Sequence, residues 1–381
     1  MAFVKMCPMV LFLLYEYIGG NSMEALKKTP LYNVYEEYGG KIGKIAGWAL
    51  PMQFEGVVEE YKAVRKKAGL FDISHVGKIQ IKGKDAFHFI QNLVTNDIES
   101  LEENRAMYTL MCYPYGAVIE IVLLYKLSEN DYLITINSGN VKRIFKWLIN
   151  KKNKHDVSII NISNEICELA LQGPKSETIL QKLTDIDLKE IKYLSFRKDV
   201  SICDTKCLLS RTGYTGEDGF EIYILPKDLE LLWNSILKAG REEGIKPAGL
   251  CVRDALRLDS NLPPFGDELL EDITPFEAGL KTYVNLRKND FIGKNALKKE
   301  SEKGIKRKIV KFETGDKCTN EISGSNVIFN GEKVGIVATE QFSPKKKKNM
   351  GLALVDLKYS KLGTTIFIKD MNDLVKAKVT R

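Results

Sequence analysis

The chain is poor in histidine, in paired cysteines and in long apolar runs, and each scarcity removes a class of function. Its three histidines, His75, His88 and His155, lie far apart, which argues against a metal-centred mechanism. The seven cysteines are scattered and odd in number; Cys203 and Cys207 are the closest pair. No second pair or nearby histidine completes a zinc site, so reduced thiols in a cytosolic protein are the expectation. The apolar run Met9–Tyr15 is too short to span a bilayer and is closed by Glu16. There is no internal repeat, no low-complexity linker and no aromatic–basic stripe of the kind that binds nucleic acid. A formal net charge of +7 favours anionic partners without establishing a nucleic-acid one. Glycine runs mislead twice. Gly39–Lys44 has the wrong spacing for a phosphate loop and no Ser or Thr after Lys44. The glycines at 213, 216 and 219 do not follow a strand and open a helix, as a dinucleotide fingerprint must.

What is present is an ordinary globular composition, 44% hydrophobic and 28% charged over 381 residues, enough for two or three domains with sizeable cores. Helical spacing is expected over 57–67, from 84, over 140–150, 175–183 and 229–240. Alternation predicts strands at 78–82, 107–111, 117–127, 132–137, 157–162 and 167–171. After Gly293 the chain turns strand-rich and reads as a separate C-terminal portion. The class is α+β. Residues 1–22 are expected to be a translated leader, with Met23 as the start: Gly19-Gly20 must be encoded by GGN-GGN, which can contain a purine-rich ribosome-binding sequence. N-terminal sequencing of the native protein checks this.

The most informative stretch is Ser210–Glu221, Ser-Arg-Thr-Gly-Tyr-Thr-Gly-Glu-Asp-Gly-Phe-Glu. Its glycines allow tight turning and close approach of a ligand. Around them stand Tyr214 and the carboxylates of Glu217, Asp218 and Glu221, the last where the loop becomes a strand. Such a set suits a flat, amine-bearing heterocycle: a ring to lie against and a carboxylate to accept from adjacent N–H donors. The plain alternative is a surface hairpin with solvated acids.

The segment strongly resembles the signature of the aminomethyltransferase family, the T-protein of the glycine cleavage system. Further markers follow in family order: Thr29-Pro30-Leu31-Tyr32, Ala46-Gly47-Trp48, Ala63-Val64-Arg65, Gly69–Gly77, Asn96-Asp97, Leu171–Pro174, Pro247–Leu250, Arg253-Asp254, Thr274–Leu280, Phe291–Lys294 and Phe342-Ser343-Pro344. The resemblance implies three domains around a central folate-binding channel: 23–74 with 165–280, then 75–164, then a β-rich 281–381. It implies transfer of an aminomethyl group from the lipoyl arm of a carrier protein to tetrahydrofolate, with release of ammonia. It also implies a cytoplasmic protein with no nucleic-acid or membrane partner, a monomer or weak oligomer.

By the same resemblance Glu221 is the pterin-binding carboxylate and Tyr214 its aromatic neighbour. Tyr108, Leu123, Tyr125 and Asn137 line the pocket, with Arg253 beside it as a cofactor-binding and catalytic residue. Without the resemblance, Tyr108 and Tyr125 read as strand aromatics, and Arg253 as an ion-pair partner of Asp254 or Glu277.

The chain departs from the family at two places. The family pattern Gly-Gly-x-x-Asp-Asp-Leu aligns with Gly116–Val122, so the catalytic aspartate position is Ile121 and the preceding acid is Glu120. On a strand these two face opposite ways, and Glu120 substitutes only if a bulge shifts the register. Second, Lys345–Lys348 replaces a Thr-Leu-Gly-Lys turn. It reads as a solvated loop, or as an attractor for a polyglutamate tail or an acidic carrier. Two other functions stay open on the sequence: a paralogue serving another one-carbon donor, and a non-catalytic folate-binding protein.

Overall fold

The computed structural model describes residues 26–262, 272–315, 322–370 and 373–380. The expected leader therefore lies outside the described residues. From Gly69 onward the chain lays down β1 (Gly69–Asp72), β2 (Gly77–Lys82), β3 (Arg105–Cys112), β4 (Val118–Ser128), β5 (Asp131–Ile136) and β6 (Ser158–Asn161). Then come β7 (Cys167–Gln172), β8 (Phe196–Ile202), β9 (Thr205–Ser210), β10 (Gly219–Ile224) and the two-residue β11 (Lys246–Pro247). One sheet runs β3-β4-β5-β2-β6 and the other β8-β9-β10-β7-β1-β11. The β1–β2 turn is thus a link between sheets.

Alternation explains how the two sheets are placed. In β4, Val122 and Leu124 pack with Phe89, Ile144 and Leu148, beneath helices Ala86–Leu93 and Val141–Lys151. Ile121, Leu123 and Tyr125 point the other way. In β10, Phe220, Ile222 and Ile224 join the core around Trp233 of helix Leu229–Ala239. Glu221 and Tyr223 face outward from that core, and Tyr223 meets Tyr125 in a shared cluster with Leu123 and Phe196. The second faces of the two sheets meet in part, at this cluster; elsewhere Ile121 and Leu110 pack on Leu280, Phe291 and Leu297, and Phe71 and Ala170 pack on the 250–256 segment.

Helix Leu250–Asp259 closes one side. Its start is fixed by Glu60, whose buried carboxylate accepts from the N–H groups of Phe54, Gly56 and Gly249, each at 2.8 Å. This provides from another helix the cap that Gly249 cannot supply. A side chain at Gly249 has no room, because its β-carbon would run into the backbone of Met52 and Gln53.

The C-terminal strand expectation takes a definite form: Arg307–Thr314, Lys348–Asp356, Glu332–Ser343, Asn326–Phe329, Thr365–Asp370 and Asp373–Thr380 form a closed barrel. Closure removes unpaired strand edges. A three-stranded sheet of Lys27–Lys28, Trp48–Gln53 and Lys41–Ile45 precedes the main sheets. Among the described residues no helix is long and apolar enough to cross a membrane.

Candidate active site

Where the two sheets meet, side chains of β4 and β10 face each other. Tyr125 and Tyr223 touch hydroxyl to hydroxyl at 2.9 Å, with rings edge-on at 5.7 Å. Thr212 donates to Glu221 Oε2 at 2.5 Å and lies 3.4 Å from the Tyr125 hydroxyl. Tyr108 reaches across to donate to the Gly213 carbonyl at 3.4 Å. Arg253 lies over the Tyr214 ring at 5.1 Å from its centroid, a cation–π contact. Leu123 is buried in the same cluster. Tyr108, Leu123, Tyr125, Tyr214, Glu221 and Arg253 thus come from four parts of the chain into one region.

Asn137 is engaged locally. It follows β5, and its side chain accepts from Gly139 N–H at 3.2 Å and from Ser138 at 3.4 Å, capping its own turn. The ion pairs weighed for Arg253 are taken by other arginines: Arg257 bonds Asp254 at 3.2 Å, and Arg307 bonds Glu277 at 3.0 Å. The three acids of the motif also separate. Glu217 pairs with Arg65 and Asp218 with Arg211, leaving Glu221 as the one turned inward.

Electrostatics single Glu221 out further. Burial pushes its carboxyl up to about 7, and the charge of Glu168 adds to the rise. The Thr212 bond, Arg253 and Lys78 oppose it. Thr212 is its hydrogen-bond partner among the described residues, through Oε2. Burial likewise raises the phenols of Tyr108, Tyr125 and Tyr223, so they stay protonated donors.

The glycines of the motif do something other than admit a ligand. A β-carbon at Gly213 or Gly219 would collide with the Gln172 side chain, and one at Gly216 with Ser260. Gly216 also has φ +75°, a conformation glycine adopts without strain. The close approach is made by the protein's own side chains. Arg65 pins the loop from behind, donating to Thr215 O, Glu217 and Ser260.

Ile121 is buried among Leu110, Cys112, Val118, Leu280, Phe291 and Leu297. A bulge does occur here, but it falls before Glu120. The pairing runs Cys112 with Val118, then Met111 with Glu120 and Leu110 with Ile121. The extra residue is Ile119, and Glu120 stays on the helix side, accepting from Asn140 Nδ2 at 2.8 Å. The register shift that would have turned Glu120 to the Ile121 face is absent.

Several residues here were not singled out by the sequence. Tyr223 shares Glu221's strand face, and alternation alone was enough to find it. Lys78, on the same strand face as Gln80 and Lys82, is fully buried and pairs with Glu168 at 2.9 Å. Next to Tyr108 opens a cavity of about 670 Å³, lined among others by Asn96, Arg105, Tyr193 and Tyr283. Among the described residues there is no group of three or more His, Cys, Asp or Glu able to hold a metal ion, and none of the five described cysteines is in a disulfide.

Comparison with known proteins decides the family. A model described as the GCVT N-terminal domain matches residues 31–288, and one described as the glycine cleavage T-protein C-terminal barrel domain matches 307–381. The chain belongs to the glycine cleavage T-protein family of aminomethyltransferases. The aminomethyltransferase of Caldanaerobacter subterraneus subsp. tengcongensis is 51% identical over 360 residues, covering 94% of this chain and 96% of that one. That of Alkaliphilus metalliredigens is 48% identical over 358 residues, covering 94% and 97%. The crystal structure of glycine cleavage system aminomethyltransferase T from Bartonella henselae superposes with a TM-score of 0.85 at 27% identity, over 94% of this chain and 97% of that one. The chain is accordingly a transferase enzyme, and glycine cleavage T-protein function is the reading these relatives favour over the paralogue and non-catalytic readings.

Proposed function

We propose that the space between the two sheets binds tetrahydrofolate and that the chain catalyses the aminomethyl step on it. The aminomethyl group leaves the lipoyl arm of a carrier protein, ammonia departs, and the one-carbon unit becomes methylenetetrahydrofolate. The observation that carries this reading is the Glu221 carboxyl, buried inside a wall of tyrosines with its Oε2 engaged by Thr212. A buried carboxyl among aromatics fits the amine-bearing edge of a flat heterocycle. Tyr214, backed by Arg253, gives that ring a face to lie against, and Tyr108, Leu123 and Tyr125 enclose it. Asn137 is a further lining residue of the proposed pocket.

With Ile121 at the aspartate position, and Glu120 held on the other face, neither residue places a carboxylate there. The rate then rests on holding the reactants together and excluding water, both of which burial of the site favours. The one-carbon donor is a lipoyl carrier, and the compartment is the cytoplasm. β1 joins β7–β10 in one sheet across the intervening β2–β6, which supports a discontinuous first domain of 23–74 with 165–280 around a second of 75–164. The barrel supports a third within 281–381.

Calorimetric titration with tetrahydrofolate tests the site. One-to-one binding that is lost in Glu221→Ala and weakened in Tyr214→Ala is expected. Binding unaffected by both changes places folate elsewhere.

A further inference from the structure

His75 lies in the turn between β1 and β2, the link that joins the two sheets around the proposed site. That turn is bound closely to β7. Ile73 N–H donates to Glu168 O at 3.0 Å, Glu168 N–H to Ser74 Oγ at 3.1 Å, and Lys78 Nζ to Val76 O at 2.9 Å. The imidazole is therefore carried beside the Lys78–Glu168 pair. It also feels the charge of Arg253, the residue stacked on Tyr214.

The ring is 8% exposed, and its buried Nδ1 has no hydrogen-bond partner among the described residues. Buried polar atoms are nearly always paired, because an unpaired one forfeits its solvation without compensation. The neighbouring charged groups are committed: Lys78 to Glu168, and Glu221 to Thr212. Two cations close by oppose any further positive charge, and burial acts in the same direction, so the ring stays neutral. A neutral imidazole carries one donor and one acceptor, the complement of the polar edge of a pterin-like heterocycle.

We propose that His75 is a substrate-contacting residue whose neutral ring hydrogen-bonds the bound heterocycle beside Arg253. The proposal rests on the folate reading of the site, and the experiment separates the two.

The chain has three histidines, so 15N-histidine labelling of the full protein yields three imidazoles, of which His75→Phe assigns one. On titration with tetrahydrofolate the His75 nitrogens should shift and saturate in step with calorimetric binding, while His88 and His155 stay unmoved. Tetrahydrofolate binding with His75 signals unchanged overturns the proposal and leaves the folate reading standing. No binding at all by calorimetry overturns the folate reading, and the proposal with it. In turnover, His75→Phe should raise KM for tetrahydrofolate about three- to tenfold, the range of one lost hydrogen bond, with kcat little changed. His75→Asn, which keeps a polar atom near the Nδ1 position, should restore part of the loss. An unaltered KM in a folded His75→Phe protein also overturns the proposal. Should that variant fail to fold, the spectra of the wild-type chain, assigned through His88 and His155 variants, decide alone.

Discussion

Tetrahydrofolate binding should tighten as pH rises from 6 to 8, and Glu221→Gln should abolish that dependence. The Glu221 carboxyl is pushed up to about 7 by burial and by Glu168. Its ionised form is the one that accepts from two N–H donors. With a pKa near 7, roughly nine-tenths is ionised at pH 8 and roughly one-tenth at pH 6, so Kd should rise about tenfold between them. Binding in turn favours the carboxylate and should release protons at pH 7. The sign for stability is opposite. A carboxyl whose folded pKa exceeds its unfolded value favours the fold below the unfolded value, near 4.5, and that contribution is lost as pH rises toward 7. His75 is held down to about 3 and does not titrate in this window, whereas Lys288, held down to about 8 by burial, enters at its upper edge. The Gln variant therefore isolates Glu221. At pH 8 it should lose about 1.5–3 kcal/mol of affinity, the range of a charge-assisted hydrogen bond. Calorimetry in two buffers of different ionisation enthalpy reads both affinity and proton release. Wild-type binding that is flat, or tighter at pH 6, refutes the reasoning. So does a Gln variant that binds as well as wild type at pH 8.

Other expectations follow from the same arrangement. Ile121→Asp places a carboxyl among Leu110, Leu280 and Phe291; it should cost about 2–4 kcal/mol in urea unfolding while raising the aminomethyl transfer rate. A stable variant with no gain in rate would contradict both halves. Lys288 donates to the carbonyls of Gln91, Val94 and Asn96 at 2.6–2.9 Å, so Lys288→Met should destabilise the fold by about 2–4 kcal/mol. An unchanged unfolding midpoint would count against it. In the barrel turn, Lys346 and Lys348 lie near Glu313, and all four lysines are exposed. Neutralising Lys345–Lys348 should raise KM for the carrier at low salt and have little effect at high salt; equal affinity at low salt would show the run to be a solvated loop.

Local regularities were legible where one face of an element is buried. Alternation marked the strands around Tyr125 and Glu221, and helical spacing marked Leu229–Ala239, because side-chain period follows backbone geometry. The late strand-rich stretch was visible, but not its closure, which depends on pairing between Arg307–Thr314 and Asp373–Thr380, far apart in sequence. Within the site, the residues of one strand could be grouped by parity. The meeting of Tyr125 with Tyr223 could not, since the backbone link between the two sheets is a single bridge at Arg105 and Ser195, away from both tyrosines in sequence. The burial of Lys78 was not legible, because a lysine on the polar face of a strand is ordinarily solvated, and here the second sheet supplies Glu168 beside it. The glycines were read as room for a ligand; Gln172 and Ser260, distant in sequence, occupy that room. The bulge at Ile119 left no mark in composition, yet its position determines which way Glu120 points.

The central claim is that this chain transfers aminomethyl groups to tetrahydrofolate with isoleucine at position 121. Mixing the purified protein with tetrahydrofolate and an aminomethylated lipoyl carrier, and following methylenetetrahydrofolate and ammonia together, tests it most directly. Equal, protein-dependent formation of both products is predicted. Tight binding of tetrahydrofolate and carrier with no product above the uncatalysed rate would contradict it.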